Sequence, residues 1–310
     1  MASFDMPTLA PALHRRAQPW LGTLVEIAIE APSEAAFLHA TELAFARVAQ
    51  VHRLMSFHAP GSDVCAIARA PAGASLPVGA DTARVLRLAL DIELRSGGLF
   101  NAAIAPALVA SGRLPRPPGA QAARAGTLAE GIEWLGEHRL RVRAPVWIDL
   151  GGIAKGYAVD CAVIALEAAG VTSGLVNAGG DMRAFGPAAH TVHLRFADGL
   201  RPVALLQDAA LAASCNADAG DAGSDADTAG GGSTPHIDPR SGRSVRSPNS
   251  VVVQAFSAAV ADALTKVALL CPATANRICR SLRAQWRAFE HGAGLNLPAA
   301  ARAPRRQPFC

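Results

Sequence analysis

Lysine is nearly missing from this chain: of its 29 lysine and arginine residues, only Lys155 and Lys266 are lysine. Arginine offers a wide, planar, permanently charged fork and lysine a compact ammonium on a flexible stem, so the two are not interchangeable at a tight anion site. Both lysines fall inside motif-like segments; the competing reading is chance survival in an alanine- and arginine-rich composition. Paired cysteines are missing too. Cys65, Cys161, Cys215, Cys271, Cys279 and Cys310 include no CxxC pair and no companion histidine at zinc spacing, which favours buried reduced thiols over a zinc site and leaves a disulfide open. No uninterrupted apolar stretch approaches the roughly 20 residues that cross a bilayer, so no membrane span is expected. The first twenty residues, with Pro7, Pro11, His14, Arg15 and Arg16, lack the apolar core and cleavage site of a secretory signal, and the expected location is the cytoplasm. Positive charge is not concentrated either: the net +4 is spread along the sequence and is dense only at Arg302, Arg305 and Arg306, which is no nucleic-acid stripe.

With 310 residues, 51% of them hydrophobic and 17% charged, the chain can bury one large core or two modest ones. Leu24–Ile29 is rich in β-branched residues after the Gly22-Thr23 pair and predicts a strand. Ser33 is a fair cap for a helix carrying Leu38, Leu43, Phe45, Val48 and Leu54 as far as Met55. Asp81 is expected to cap a second helix that Gly97-Gly98 ends. Leu114–Gly119 is proline-rich and reads as surface loop. Val146–Ile148 reads as a strand, followed by a glycine turn, a helix over 154–169 ended by Gly170, and a strand at Leu175-Val176. Further strands are expected at Thr191–Phe196, Val203–Leu206 and Val251–Phe256, and Ser257 should cap a final long helix through Leu270. Residues 1–19 are expected to be a flexible N-terminus, 20–295 one domain, and 296–310 a flexible basic tail. Within the domain, 216–234 is almost wholly Ala, Gly, Asp, Ser and Thr, a low-complexity insertion expected to be disordered. Its acids Asp218, Asp221, Asp225 and Asp227 miss the EF-hand spacing.

Four segments carry candidate chemistry. Gly151-Gly152 lies directly before a helix, where backbone N–H groups and the helix dipole favour an anion, and Lys155 stands one turn further on; an ordinary turn is the plainer alternative. Gly179-Gly180, after Asn177, offers a second tight backbone approach. Asp262, Thr265 and Lys266 fall at i, i+3 and i+4 and share one helical face, either as a phosphate- or metal-organising group or as a local ion pair. His236-Ile237-Asp238-Pro239-Arg240-Ser241-Gly242 joins a titratable imidazole to a turn.

In this order the segments resemble the ApbE-like family, the FAD:protein FMN transferases formerly described as thiamine-biosynthesis lipoproteins. The strongest piece is Asp149–Asp160 (DLGGIAKGYAVD), then Val176–Asp181 (VNAGGD), His236–Gly242 and Ala261–Lys266, with weaker echoes at Leu21–Thr23, Met55–His58 and Gly98–Asn101. The resemblance implies an α+β fold of mixed sheets with packed helices and a flavin cleft between subregions. It also implies transfer of FMN from FAD to a threonine hydroxyl of an acceptor flavoprotein, with release of AMP and a magnesium ion near the diphosphate. It makes Asp149 and Lys155 nucleotide contacts, with Leu21, His58, Leu99, Phe100, Asn101 and Ile237 on the flavin side. Gly152, Asp262, Thr265 and Lys266 fall at the metal, and His236 and Asp262 in catalytic positions, His236 as the base. The residue types suit phosphoryl-group transfer, which needs positioning and charge neutralisation more than covalent help.

Several positions depart from the family pattern. Leu21, His58 and Asn101 replace the usual methionine, tyrosine and aspartate, and His236 lies two rather than three residues before Asp238. Lys266 stands where the metal-binding threonine is usual, with Thr265 one position earlier. Either Lys266 replaces the ion, or Asp262 and Thr265 hold magnesium while Lys266 faces the diphosphate. These departures keep two alternatives open, an FAD-binding protein without transferase activity and an FAD pyrophosphatase.

Overall fold

The computed structural model describes residues 13–196, 199–215, 236–245 and 249–290. The insertion read at 216–234, the tail at 296–310 and residues 1–12 lie outside the described residues.

The chain runs β1 (Leu13–Trp20), β2 (Thr23–Glu30), α1 (Glu34–Met55), α2 (Asp63–Arg69), β3 (Ser75–Pro77) and α3 (Ala80–Ser96). A 3₁₀ turn at Ala102–Ile104 leads into α4 (Ala105–Ala110), α5 (Leu128–Gly131), β4 (Ile132–Trp134), β5 (Arg139–Val142) and α6 (Ala154–Ala168). Then come β6 (Gly174–Ala178), β7 (Asp181–Phe185), β8 (His190–Phe196), β9 (Gly199–Leu206) and β10 (Ala209–Cys215). The last elements are β11 (Ile237–Asp238), β12 (Arg243–Ser244), β13 (Asn249–Ala255), α7 (Ala258–Leu270), α8 (Pro272–Ser281) and β14 (Gln285–Glu290). The main sheet has the order β1-β2-β6-β7-β10-β13-β14, every neighbouring pair antiparallel. The fold is α+β.

Alternation along the central strands divides the apolar residues between two faces. Val251 and Val253 point into the main core with Ala261, Leu264 and Val267 of α7, while Val252 joins Leu211, Val192 and Val203 beneath the β8–β9 hairpin. The sheet therefore carries helices on one face and a short hairpin on the other.

Local signals account for the helix ends. The Ser33 hydroxyl accepts from the Ala36 amide at 3.2 Å, the Ser257 hydroxyl from the Val260 amide at 3.4 Å, and Gly97 closes α3 in the left-handed region at φ 63°. Tertiary contacts overrule the sequence at four places. Asp81 does not cap α3, because Gly79 occupies that position; the buried Asp81 carboxylate instead accepts from Arg47 of α1 at 3.1 Å and from the Tyr157 hydroxyl of α6 at 2.8 Å. Val146–Ile148 is not a strand. Its apolar side chains are buried, but its polar groups go to loops: the Trp147 indole to Gln121 O at 2.8 Å and the Asp149 amide to Ala102 O at 2.8 Å. Residues 13–19, read as a flexible N-terminus, belong to β1; its polar, arginine-bearing sequence hides a strand that exists because β2 offers it a complete antiparallel edge. Lastly, α7 is followed by α8 and β14 and is not the final element. Among the described residues no helix is long and apolar enough to cross a membrane.

Helices α6 and α7 pack unusually closely. A Cβ at Gly156 would overlap the carbonyl of Ala258 and stand 2.7 Å from the Ala259 amide. The Asp160 carboxylate, one turn further along α6, accepts from both the Ala258 and Ala259 amides at 3.0 Å, from the Ser257 hydroxyl at 2.7 Å and from Arg183 at 2.9 Å. It thus satisfies the otherwise unpaired donors that begin a helix. Because the obstacle at Gly156 is backbone, Gly156→Ala is expected to destabilise the protein by about 3 kcal/mol or more. A urea midpoint unchanged by this substitution would contradict the helix contact.

Candidate active site

The α6–α7 contact aligns the start of α6 with the middle of α7, and the two lysines meet there. The Lys155 ammonium lies 3.1 Å from Asp181 Oδ2 and 3.5 Å from Asp262 Oδ2, and donates to Gly151 O at 3.0 Å. The Lys266 ammonium contacts Asp262 Oδ1 and donates to the Asp262 carbonyl at 3.1 Å. Asp262 is fully buried, and each of its carboxylate oxygens therefore faces an ammonium. Thr265, also fully buried, donates to Asp262 O at 2.6 Å and shares a 2.8 Å hydrogen bond with Ser214.

Above this cluster opens a cavity of about 350 Å³, lined by both lysines, Gly151, Gly152, Asp149, Asp181, Gly179 and Ser214. Leu99, Phe100, Ile104 and Leu108 form its apolar side with the polar Asn101 among them, and His236, Ile237 and Pro239 close it from the β11–β12 turn. That turn is held by the Gly242 amide donating to Asp238 O at 2.8 Å and by Arg240 paired to Asp238 at 3.1 Å. Gly179 and Gly180, both at positive φ (62° and 98°), form the two-residue link between β6 and β7. Only residues tolerant of positive φ suit such a turn, and it brings Asp181 to the cavity edge. Asn101 is fixed by donating to Gly126 O and accepting from the Ala103 amide, each at 2.8 Å. Asp149 accepts from the Gly151 amide at 3.1 Å.

Burial and neighbouring charge set the protonation states. Burial would raise the Asp262 pKa, but the Lys155 and Lys266 ammoniums outweigh it and hold the carboxyl below its usual range. Burial likewise works against the Lys155 charge, and the Asp262 and Asp181 carboxylates reverse that, raising its pKa. Asp181, with burial and the Asp262 charge both against ionisation, is pushed up to about 6. Burial also raises Asp149. His236 is pushed down to about 4 by burial and by the positive charges of Lys266 and Lys155. Its imidazole is therefore neutral at physiological pH.

Of the residues nominated from sequence, Leu99, Phe100, Asn101, Asp149, Gly152, Lys155, His236, Ile237 and Lys266 line the cavity, while Asp262 and Thr265 lie buried beneath it. Leu21 and His58 do not line it. Leu21 sits in the β1–β2 turn at φ 59°, packed on the core, and His58 is exposed and edge-on to Phe57. Ile104, Leu108, Gly151, Gly179, Asp181, Ala213, Ser214 and Pro239 also line the cavity without having been nominated as site residues, and two of these carry polar side chains. Asp181 ends the VNAGGD segment and could have been found there; Ser214 has no local signal.

A divalent magnesium ion does not fit these groups as they stand. Magnesium takes an octahedron of oxygens near 2.1 Å, whereas both Asp262 oxygens face ammoniums and the Thr265 hydroxyl is engaged behind the floor. Among the described residues, no three His, Cys, Asp or Glu side chains gather in one place.

Fold and site together define an α+β protein with a lysine- and glycine-lined cavity. The family model of the ApbE family matches residues 21–289, and the chain belongs to that family. The FAD:protein FMN transferase of Rhodobacter capsulatus is 33% identical over 174 residues, covering 53% of this chain and 33% of that protein. The FAD:protein FMN transferase of Treponema pallidum (strain Nichols) is 29% identical over 191 residues, covering 56% of this chain and 52% of that one. The matched stretches thus span about a third and about half the length of these curated relatives. Among solved structures, the apo form of Pseudomonas stutzeri flavinyl transferase ApbE superposes with a TM-score of 0.73 at 21% identity, covering 94% of this chain and 100% of the other. The ApbE protein of Thermotoga maritima gives 0.75 at 21% identity, with 91% and 96% covered. These structures share the fold.

The neutral His236 has a measurable consequence. The unfolded chain takes up this proton near pH 6.5 and the folded protein near 4. Between those values the unfolded state holds the extra proton, so His236 subtracts stability as pH falls through this window and subtracts none above it. Relative to wild type, His236→Gln is expected to gain about 2 kcal/mol at pH 5 compared with pH 8. Urea titrations at the two pH values read this directly, and an equal difference at both would mean that the imidazole is not held neutral.

Proposed function

We propose that this protein is a flavin transferase: it binds FAD in the cavity and moves the FMN portion to a threonine hydroxyl of an acceptor flavoprotein, releasing AMP. The observation that carries the reading is the convergence of the chain's two lysines on one buried carboxylate beneath a glycine-lined cavity, in a chain of the ApbE family. Names of the relatives support the choice of substrate.

In this reading the diphosphate lies against the Gly151-Gly152 turn and the two ammoniums, and the apolar side at Leu99 and Phe100 receives the flavin. The threonine oxygen attacks the phosphorus of the FMN half. A new P–O bond forms to that oxygen, the P–O bond to AMP breaks, and AMP leaves with the bridging oxygen and its electron pair. His236, neutral and at the cavity wall, accepts the hydroxyl proton. Its low pKa makes it a weak base in the empty pocket; the negative charge of the arriving diphosphate offsets the two lysines and raises its basicity. Asp262 is the positioning carboxylate that aims both ammoniums. Lys155 and Lys266 neutralise the charge that develops on the phosphoryl oxygens, the main requirement of this chemistry.

The protein is to be incubated with FAD and an acceptor domain bearing the target threonine, and the acceptor weighed. The expected outcome is a gain of one FMN per acceptor with equimolar AMP, and a fall in kcat/KM of roughly 10²–10³ for Lys155→Ala. No gain beside an active relative as control defeats the transferase reading, and FMN plus AMP formed without acceptor would instead mark hydrolysis by water.

A further inference from the structure

We propose that Lys266 is a built-in cation for the FAD diphosphate, so that this chain binds its nucleotide without a divalent metal ion. The inference rests on the FAD reading of the cavity and adds how the negative charge is met. Asp262 is the carboxylate on which a cation at this floor would depend, and its Oδ1 is already in contact with the Lys266 ammonium while Oδ2 faces Lys155 at 3.5 Å. A divalent ion seated on Asp262 would have to displace one ammonium and sit within a few ångströms of the other, where like charges repel strongly in a partly dry site. Thr265, the neighbouring oxygen donor on the same helical face, is committed to the Asp262 carbonyl and to Ser214.

Lys266 is also built into the site and does not simply hang over it. Its side chain passes beneath the glycine turn, with Cε 3.3 Å from where a Cβ on Gly152 would stand, and its ammonium reaches the cavity surface with the side chain 20% exposed. An ammonium has three donors. Lys155 directs its own toward Gly151 O, Asp181 and Asp262. Among the described residues Lys266 donates to Asp262 alone, through Oδ1 and the carbonyl oxygen, which leaves a donor for an anion in the cavity.

The test is FAD binding, read by quenching of flavin fluorescence, in EDTA and in millimolar Mg²⁺, for the whole protein and for Lys266→Met. Thermal melts report whether the variant is folded. For the wild type, Kd is expected to agree within twofold between the two buffers; for Lys266→Met, FAD binding in EDTA should weaken tenfold or more. Tenfold tightening of the wild type by Mg²⁺ overturns the proposal, as does a folded Lys266→Met that binds like wild type in EDTA. If the variant does not fold, the wild-type comparison alone decides. Metal-independent FAD binding without FMN transfer would remove the transferase reading and leave this one standing. Metal-dependent binding with transfer would do the reverse, and no FAD binding in either buffer overturns both.

Discussion

Helices α6 and α7 touch backbone to backbone at Gly156, and the chemistry of the site depends on that approach. The absent side chain lets the Ala258 carbonyl and Ala259 amide reach the surface of α6, and Asp160 anchors the start of α7 through the Ala258 and Ala259 amides and the Ser257 hydroxyl. One contact therefore fixes both the separation and the register of the helices. Lys155, immediately before the glycine, is left facing Asp262, one turn into α7.

A buried, ionised carboxylate is costly unless its charge is met. Asp262 meets it twice, once from each helix, and the arrangement holds two ammoniums at the base of an open cavity without their repelling each other apart. Asp181 adds a second carboxylate to Lys155, and burial first and the Asp262 charge second push its pKa up. His236 reports the opposite sign at the cavity wall, where burial and the two lysines keep it neutral. These five side chains come from α6, α7, the β7 edge and the approach to the β11–β12 turn, so the electrostatics of the site belong to the packing of the fold.

The local parts of this architecture were legible in the sequence. Ser33, Ser257, Gly97 and Gly170 mark helix ends because capping and positive φ are properties of one or two residues. The ADALTK segment was visible because helix spacing puts Asp262, Thr265 and Lys266 on one face, and DLGGIAKGYAVD because its glycine pair precedes a helix and the segment resembles the family. What failed was non-local. Val146–Ile148 has the composition of a strand and finds no strand to pair with; β1 lacks that composition and gains a strand through β2. Asp81 looks like a cap and is used instead to join three helices. Leu21 and His58 were nominated by motif position and are not among the residues lining the cavity, although His58 lies near enough to Asp149 to favour its ionised form.

By itself, the sequence determined which residues can carry charge in a tight space, where the helices begin and end, and which segments belong together as a family, since each is decided within a few residues of chain. The tertiary structure alone decided that Lys155 and Lys266 share one carboxylate, that Asp181 joins them, and that Thr265 turns away behind the floor. Those outcomes depend on the distance between elements far apart in the chain, and that distance is set by packing across Gly156 and by the antiparallel order of the sheet, which no local pattern encodes.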